Sequence, residues 1–144
     1  MTNTSTSTAA TTPNAIDRFL DAVCGGAMAA ATDVYGDSVV LDATVPGWRF
    51  VLRGPHAVCG EYARWFAVTG DFTELRRQTT TDGEVVEYFL TWVEDGVAHG
   101  AHHVHLLTLD PVADRIVQDH VFCGGRWPAS LLADMNAPAF ETLG

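Results

Sequence analysis

Between Val97 and Arg126 the chain reads VAHGAHHVHLLTLD, breaks through Pro111 and Asp114, and resumes as RIVQDHVFCGGR. Five of the six histidines fall here, His99, His102, His103, His105 and His120, spaced among apolar residues at the two-residue period of a strand rather than the 3.6 of a helix. Val, Leu, Ile and Thr fill the flanking positions, and Asp110-Pro111 punctuates them, so the stretch predicts two strands joined by a turn. On one phase lie His99, Ala101, His103, His105, Leu107 and Leu109. On the other strand Val117, Asp119, Val121 and Cys123 share a phase. A register that sets His105 directly opposite Asp119 puts two imidazoles and a carboxylate on one face, whereas a slip of one residue turns Asp119 away.

What precedes this hairpin predicts helices first and strands after. Residues 1–13 are rich in Thr, Ser, Asn and Ala and predict a tail too polar to offset the entropy of ordering. From Asn14 a helix places Ile16, Phe19, Leu20 and Val23 on one stripe, and a second short helix spans residues 27–34. Residues 39–45 and 48–52 form a hairpin about Pro46-Gly47, and Pro55 opens a helix to about Val68 with Tyr62, Trp65 and Phe66 inward and Glu61 and Arg64 outward. Two strands meet near Asp82-Gly83, the second carrying Val86, Tyr88, Leu90 and Trp92 on one face, and Asp95-Gly96 turns into the histidine strand. After Gly124-Gly125, Trp127-Pro128 leads into a short helix at residues 129–135. The domain is expected at residues 14–136 and a second tail at 137–144. Helices and strands in runs, rather than alternating βαβ units, predict an α+β fold with a strongly curved mixed or antiparallel sheet wrapped around the N-terminal helices.

Composition narrows the partners. At 144 residues the chain is one domain able to bury roughly two-thirds of its unfolded surface. Eight basic against eighteen acidic residues give a formal charge of −10, which disfavours nucleic acid and anionic membrane. Cys24, Cys59 and Cys123 are odd in number and follow no metal-binding spacing, as expected of reduced thiols in a cytoplasmic protein. No apolar run is long enough to span a bilayer, and no secretory signal is evident.

The helix–helix–hairpin–helix–meander order, the VVLDATVPGWRFVLRG hairpin and the closing RIVQDHVF strand resemble the nuclear transport factor 2-like superfamily over about residues 14–135. That superfamily includes ketosteroid isomerases, scytalone dehydratase, limonene epoxide hydrolase and SnoaL-like polyketide cyclases. The resemblance implies a cone-shaped α+β barrel with one central pocket and a homodimer formed through the sheet's outer surface. It places Asp42 near the isomerases' general-base aspartate and Asp119 near a functional carboxylate of the cyclases and epoxide hydrolases. Val121 stands where the cyclases have a further aspartate, so the fold transfers and the particular reaction does not.

Two groups that trade a proton in a water-poor pocket suffice for cofactor-free acid/base chemistry. Asp42 is the candidate base, buried among Trp48, Trp65 and Trp92. His105 with Asp119 is the candidate acid/base pair, Asp119 fixing the tautomer while the other ring nitrogen faces substrate, and His103 assists. Trp48, Trp65, Phe66, Tyr88, Trp92, Val121, Cys123 and Trp127 are candidate pocket walls for a hydrophobic carbonyl- or hydroxyl-bearing molecule. The expected activity is isomerisation, dehydration or cyclisation, with no metal or cofactor; a non-catalytic binding domain and an epoxide hydrolase using Asp119 and Asp42 are the alternatives. Each candidate also has a structural reading: core histidines satisfied by backbone and Asp119, an edge-strand Asp42, and a small hydrophobe at Cys123 with no basic neighbour. Histidines two apart with a carboxylate are also compatible with zinc or iron.

Overall fold

A computed structural model of the chain describes residues 12–135. Both expected tails fall largely outside the described residues. Helix α1 (Ala15–Gly25) begins at a reciprocal capping box in which Asn14 and Asp17 each accept the other's backbone N–H at 2.8 Å. Its stripe of Ile16, Phe19, Leu20 and Val23 is buried. The expected second helix is instead two 3-10 turns, Met28–Ala30 and Thr32–Val34. A segment this short, with β-branched Thr32 and Val34, does not repay the cost of nucleating an α-helix.

Strand β1 (Tyr35–Val45) turns through Pro46-Gly47 into β2 (Trp48–Arg53), with Val45 paired to Trp48. Helix α2 (Pro55–Trp65) carries proline in its first turn, where a missing N–H costs nothing. Then follow β3 (Asp71–Thr79), β4 (Gly83–Glu94), β5 (Val97–Leu109), β6 (Ile116–Cys123), the two-residue β7 (Trp127–Pro128) and α3 (Ala129–Met135). Asp95 and Gly96, between β4 and β5, both have positive φ, as a type I′ hairpin turn requires. At Gly83 a methyl group would sit 1.8 Å from the Leu107 carbonyl oxygen, so only glycine lets β4 lie this close to β5.

The strands form one open mixed sheet in the order β2-β1-β6-β5-β4-β3, with β7 added beside β5. All neighbours are antiparallel except β1 and β6. The histidine hairpin, β5 and β6, therefore occupies the middle of the sheet. Its turn is held by Asp110, which accepts from the N–H groups of Val112 and Ala113. Asp114 in that turn accepts from Ala15 N–H and from Arg18, tying α1 to the sheet's end. The inner face presents Val39, Leu41 and Ala43 of β1, Val86, Tyr88 and Leu90 of β4, and Ala101, His103, His105 and Leu107 of β5. Against these pack α1 and the buried residues Val58, Cys59 and Tyr62 of α2. Among the described residues no helix is long and apolar enough to cross a membrane.

The hairpin's register departs from the expected one by two residues. Val121 lies opposite His105, and Asp119 lies opposite Leu107. An even slip preserves the face, so His105 and Asp119 still meet, as diagonal rather than direct neighbours. A bulge between Thr108 and Leu109 changes the phase at the start of β6, so buried Ile116 takes the inner place expected of Val117.

Candidate active site

Two polar groupings lie on the inner face, and only one of them reaches a cavity. The first is a sealed network. His105 and Asp119 have no exposed side-chain surface, and His105 Nδ1 lies 2.9 Å from Asp119 Oδ1. A carboxylate accepts, so Nδ1–H is the donor. Tyr62 of α2 donates its hydroxyl to Asp119 Oδ2 at 2.6 Å. The Tyr88 hydroxyl meets His105 Nε2 at 2.9 Å, which commits both ring nitrogens within the protein. Phe19 and Tyr62 meet the imidazole edge-on and Tyr88 stacks on it. Burial, and then the nearby Asp119 carboxylate, push the Tyr62 and Tyr88 hydroxyls well above their usual range, so both remain protonated.

The second grouping surrounds a cavity of about 450 Å³. Phe50 of β2, Trp65 and Phe66 at the end of α2, Leu90 and Trp92 of β4, and Ala101 of β5 give it an apolar wall. His103 of β5 and Cys123 of β6, opposite one another in the ladder, add an imidazole and a thiol. Glu61, Arg64 and Arg126 bring charge to the lining, and Val45, Pro46 and Gly125 complete it. His103 Nε2 is 3.1 Å from Cys123 Sγ, which also accepts the Gly125 N–H at 3.3 Å. When the Cys123 S–H is donated to Nε2, the neutral imidazole carries its hydrogen on Nδ1. That Nδ1 is buried and meets no hydrogen-bond partner among the described residues. Trp65 stacks on the ring at 5.7 Å, with Phe66 and Tyr88 edge-on. Burial first, then His105 and His102, depress the imidazole to about 3, so at neutral pH it is uncharged. Burial raises the Cys123 thiol, partly offset by the Gly125 N–H.

Glu61 is held by the Trp65 indole N–H at 2.9 Å and by Arg64 at 3.1 Å, both on Oε2, which leaves Oε1 for another proton. Arg126 pairs with Glu94 and lies over the Trp92 ring at 5.2 Å, while Glu94 also accepts the Trp92 indole N–H.

Several expected site residues lie elsewhere. Asp42 is on the opposite face from Leu41 and Ala43, because side chains alternate along β1. It is paired bidentately with Arg49 at 2.7 and 3.0 Å, which holds its carboxyl below the usual range, and His120 is 3.9 Å away. It is thus not buried among the tryptophans, and although Asp119 pairs with the adjacent Leu41, the two aspartates lie on opposite faces of the sheet and share no site. His105 and Asp119 sit beneath the cavity rather than in its wall, with no nitrogen turned to substrate. Trp48, at the hairpin tip, is 70% exposed. Tyr88 and Val121 are fully buried core residues. Trp127 pairs with Gly100 and packs on Phe89, a residue of the phase opposite to Tyr88. Of the expected walls, Trp65, Phe66, Trp92 and Cys123 line the cavity, as does His103. Cys123 has an imidazole neighbour in His103, yet that ring is uncharged at neutral pH and burial raises the thiol, so no basic group lowers it, as the sequence leads one to expect. Glu61 and Arg64, expected outward, line the cavity because the last turn of α2 ends against it; the signal was Trp65, whose indole needed a nearby acceptor. Among the described residues no three His, Cys, Asp or Glu side chains lie together as a metal-holding group.

No protein-family model matches the sequence, and no curated protein does. Solved structures do match. A provisionally named isomerase from Bacillus subtilis aligns over 76% of this chain and 84% of its own, with a TM-score of 0.62 and 13% identity. A Catenulispora acidiphila protein with a ketosteroid isomerase-like fold, in complex with trimethylamine, covers 90% of this chain and 98% of its own, with a TM-score of 0.60 and 18% identity. A protein of unknown function from Mesorhizobium loti, described as nuclear transport factor 2-like, covers 77% and 88%, with a TM-score of 0.56 and 19% identity. The chain has the nuclear transport factor 2-like fold.

Proposed function

We propose that the protein is a cofactor-independent acid/base enzyme that moves a proton on a small hydrophobic carbonyl compound bound in the 450 Å³ cavity. The observation that carries this reading is a carboxylate with one oxygen uncommitted in the wall of the same apolar cavity as an imidazole kept neutral. Glu61 takes the proton from the carbon beside the carbonyl. His103 donates an N–H to the oxygen as negative charge develops there, the ring turning to bring out a nitrogen that neighbouring side chains cover in this structure, and an uncharged donor does so without surrendering its proton early. The apolar walls exclude water and strengthen both interactions.

The test is NMR detection of the conversion of 3-cyclohexen-1-one to its conjugated isomer in deuterated water. The wild-type protein accelerates it, and Glu61→Gln and His103→Gln each slow it by roughly 10²–10⁴-fold with the fold intact. A conversion no faster than in buffer, across cyclic ketones shown to bind, contradicts the reading. A binding domain without turnover is the second reading, and the sealing of His105 and Asp119 beneath the cavity favours it. It predicts tight binding of such ketones with no chemical change.

A further inference from the structure

Cys123 and His103 form a pair that proton transfer at a carbon does not use. The thiol and imidazole face one another across β5 and β6 at 3.1 Å, both line the cavity, and Gly125 N–H steadies the sulfur from a third direction. The two other cysteines have no such setting. Cys59 is 2% exposed in the core, and Cys24 lies on α1 outside the cavity lining. His103 Nε2, in contact with the sulfur, is the proton acceptor that a thiol needs to react without first ionising in bulk water.

We propose that Cys123 is a nucleophile that adds reversibly to an alkene conjugated with a carbonyl when such a ligand fills the cavity, with His103 relaying the proton. The sulfur forms a bond to the β-carbon while the alkene π pair shifts toward the carbonyl. The thiol proton passes to His103 Nε2 as the sulfur adds, leaving an enolate beside an imidazolium. The enolate becomes the ketone by taking that proton from Nε2 at the α-carbon, which restores the neutral imidazole. No oxidant, reductant or other reactant is consumed. A protonated, buried thiol is slow toward ordinary alkylating agents, so the relay confines reactivity to ligands that the cavity holds with an electron-poor β-carbon at the sulfur. The ligand class rests on the function proposed above; the reactivity of the thiol does not.

Incubation of the full chain with 2-cyclohexen-1-one, followed by intact mass spectrometry and peptide mapping, tests this. The expected result is a gain of one enone mass, located on Cys123, absent from Cys123→Ser, and slowed about a hundredfold in His103→Gln. Cyclohexanone, which offers the carbonyl but no alkene, slows labelling of the wild type by competing for the cavity. No adduct, an adduct on Cys24 or Cys59, labelling indifferent to cyclohexanone, or an undiminished rate in folded His103→Gln overturns the proposal. An absent adduct with accelerated ketone isomerisation leaves the proposed function standing, and an adduct on Cys123 without isomerisation does the reverse.

Discussion

Asp119→Asn separates a structural carboxylate from a catalytic one. In the wild type each oxygen of Asp119 accepts one hydrogen bond, from Tyr62 at 2.6 Å and from His105 at 2.9 Å, in a site with no exposed surface. An amide offers one accepting oxygen and one donating nitrogen. If the oxygen stays with His105, the nitrogen faces Tyr62, whose hydroxyl must turn to accept and whose proton then lacks an acceptor. The loss of one bond to a carboxylate and the stranding of a buried donor together cost roughly 2–3 kcal/mol. For a domain of this length that lowers the melting temperature by about 6–12 °C. Tyr62→Phe, which removes the same bond from the other end, gives a smaller drop, and the double variant loses less than the sum because the two changes share one interaction. Thermal unfolding followed by circular dichroism measures all three. A melting temperature within a degree or two of wild type, with turnover abolished, refutes the assignment of Asp119 to the framework.

Further outcomes follow from single groups. Tyr35 buries a hydroxyl that meets no partner among the described residues, so Tyr35→Phe leaves stability unchanged or raises the midpoint of urea unfolding, and a clear loss would show that the hydroxyl is satisfied. His103 is held near 3 in the fold against 6.5 in the unfolded chain, so between those values the unfolded chain binds more protons and stability falls as pH drops. At full slope this is about 1.4 kcal/mol per pH unit, and His103→Leu flattens urea midpoints measured from pH 6.5 to 4; equal slopes in the two proteins contradict the assignment. Gly83→Ala forces a methyl group into the Leu107 carbonyl, so it lowers the melting temperature by several degrees, and an unchanged value refutes the close approach of β4 to β5.

The sequence carried the inner face of the sheet more fully than the cavity. Alternation along β4 and β5 placed Tyr88, Leu90, His103 and His105 inward, because one face of each strand is covered by helices and a polar residue there needs a partner. The meeting of His105 with Asp119 survived a register error because that error was even. Asp42 shows the opposite circumstance: its strand neighbours Leu41 and Ala43 occupy the inner phase, so alternation along β1 turns it outward where the resemblance to isomerases implies a pocket. What lies above or beneath the cavity depends on how α2 crosses the sheet, which no periodicity encodes, so helical spacing alone leaves Glu61 and Arg64 outward and strand alternation alone leaves His105 open to substrate. The contact of Cys123 with His103 followed from the same register that the hairpin's bulge sets, and a two-residue error moved it out of sight.

The division of labour between the two histidines is most directly measured by imidazole nitrogen NMR with cyclohexanone titrated into labelled protein. Signals of His103 are expected to shift on binding, with the hydrogen on Nδ1, while those of His105 remain fixed in the sealed network. Shifts at His105 with none at His103, or no response at either ring to a ketone that demonstrably binds, would contradict the account.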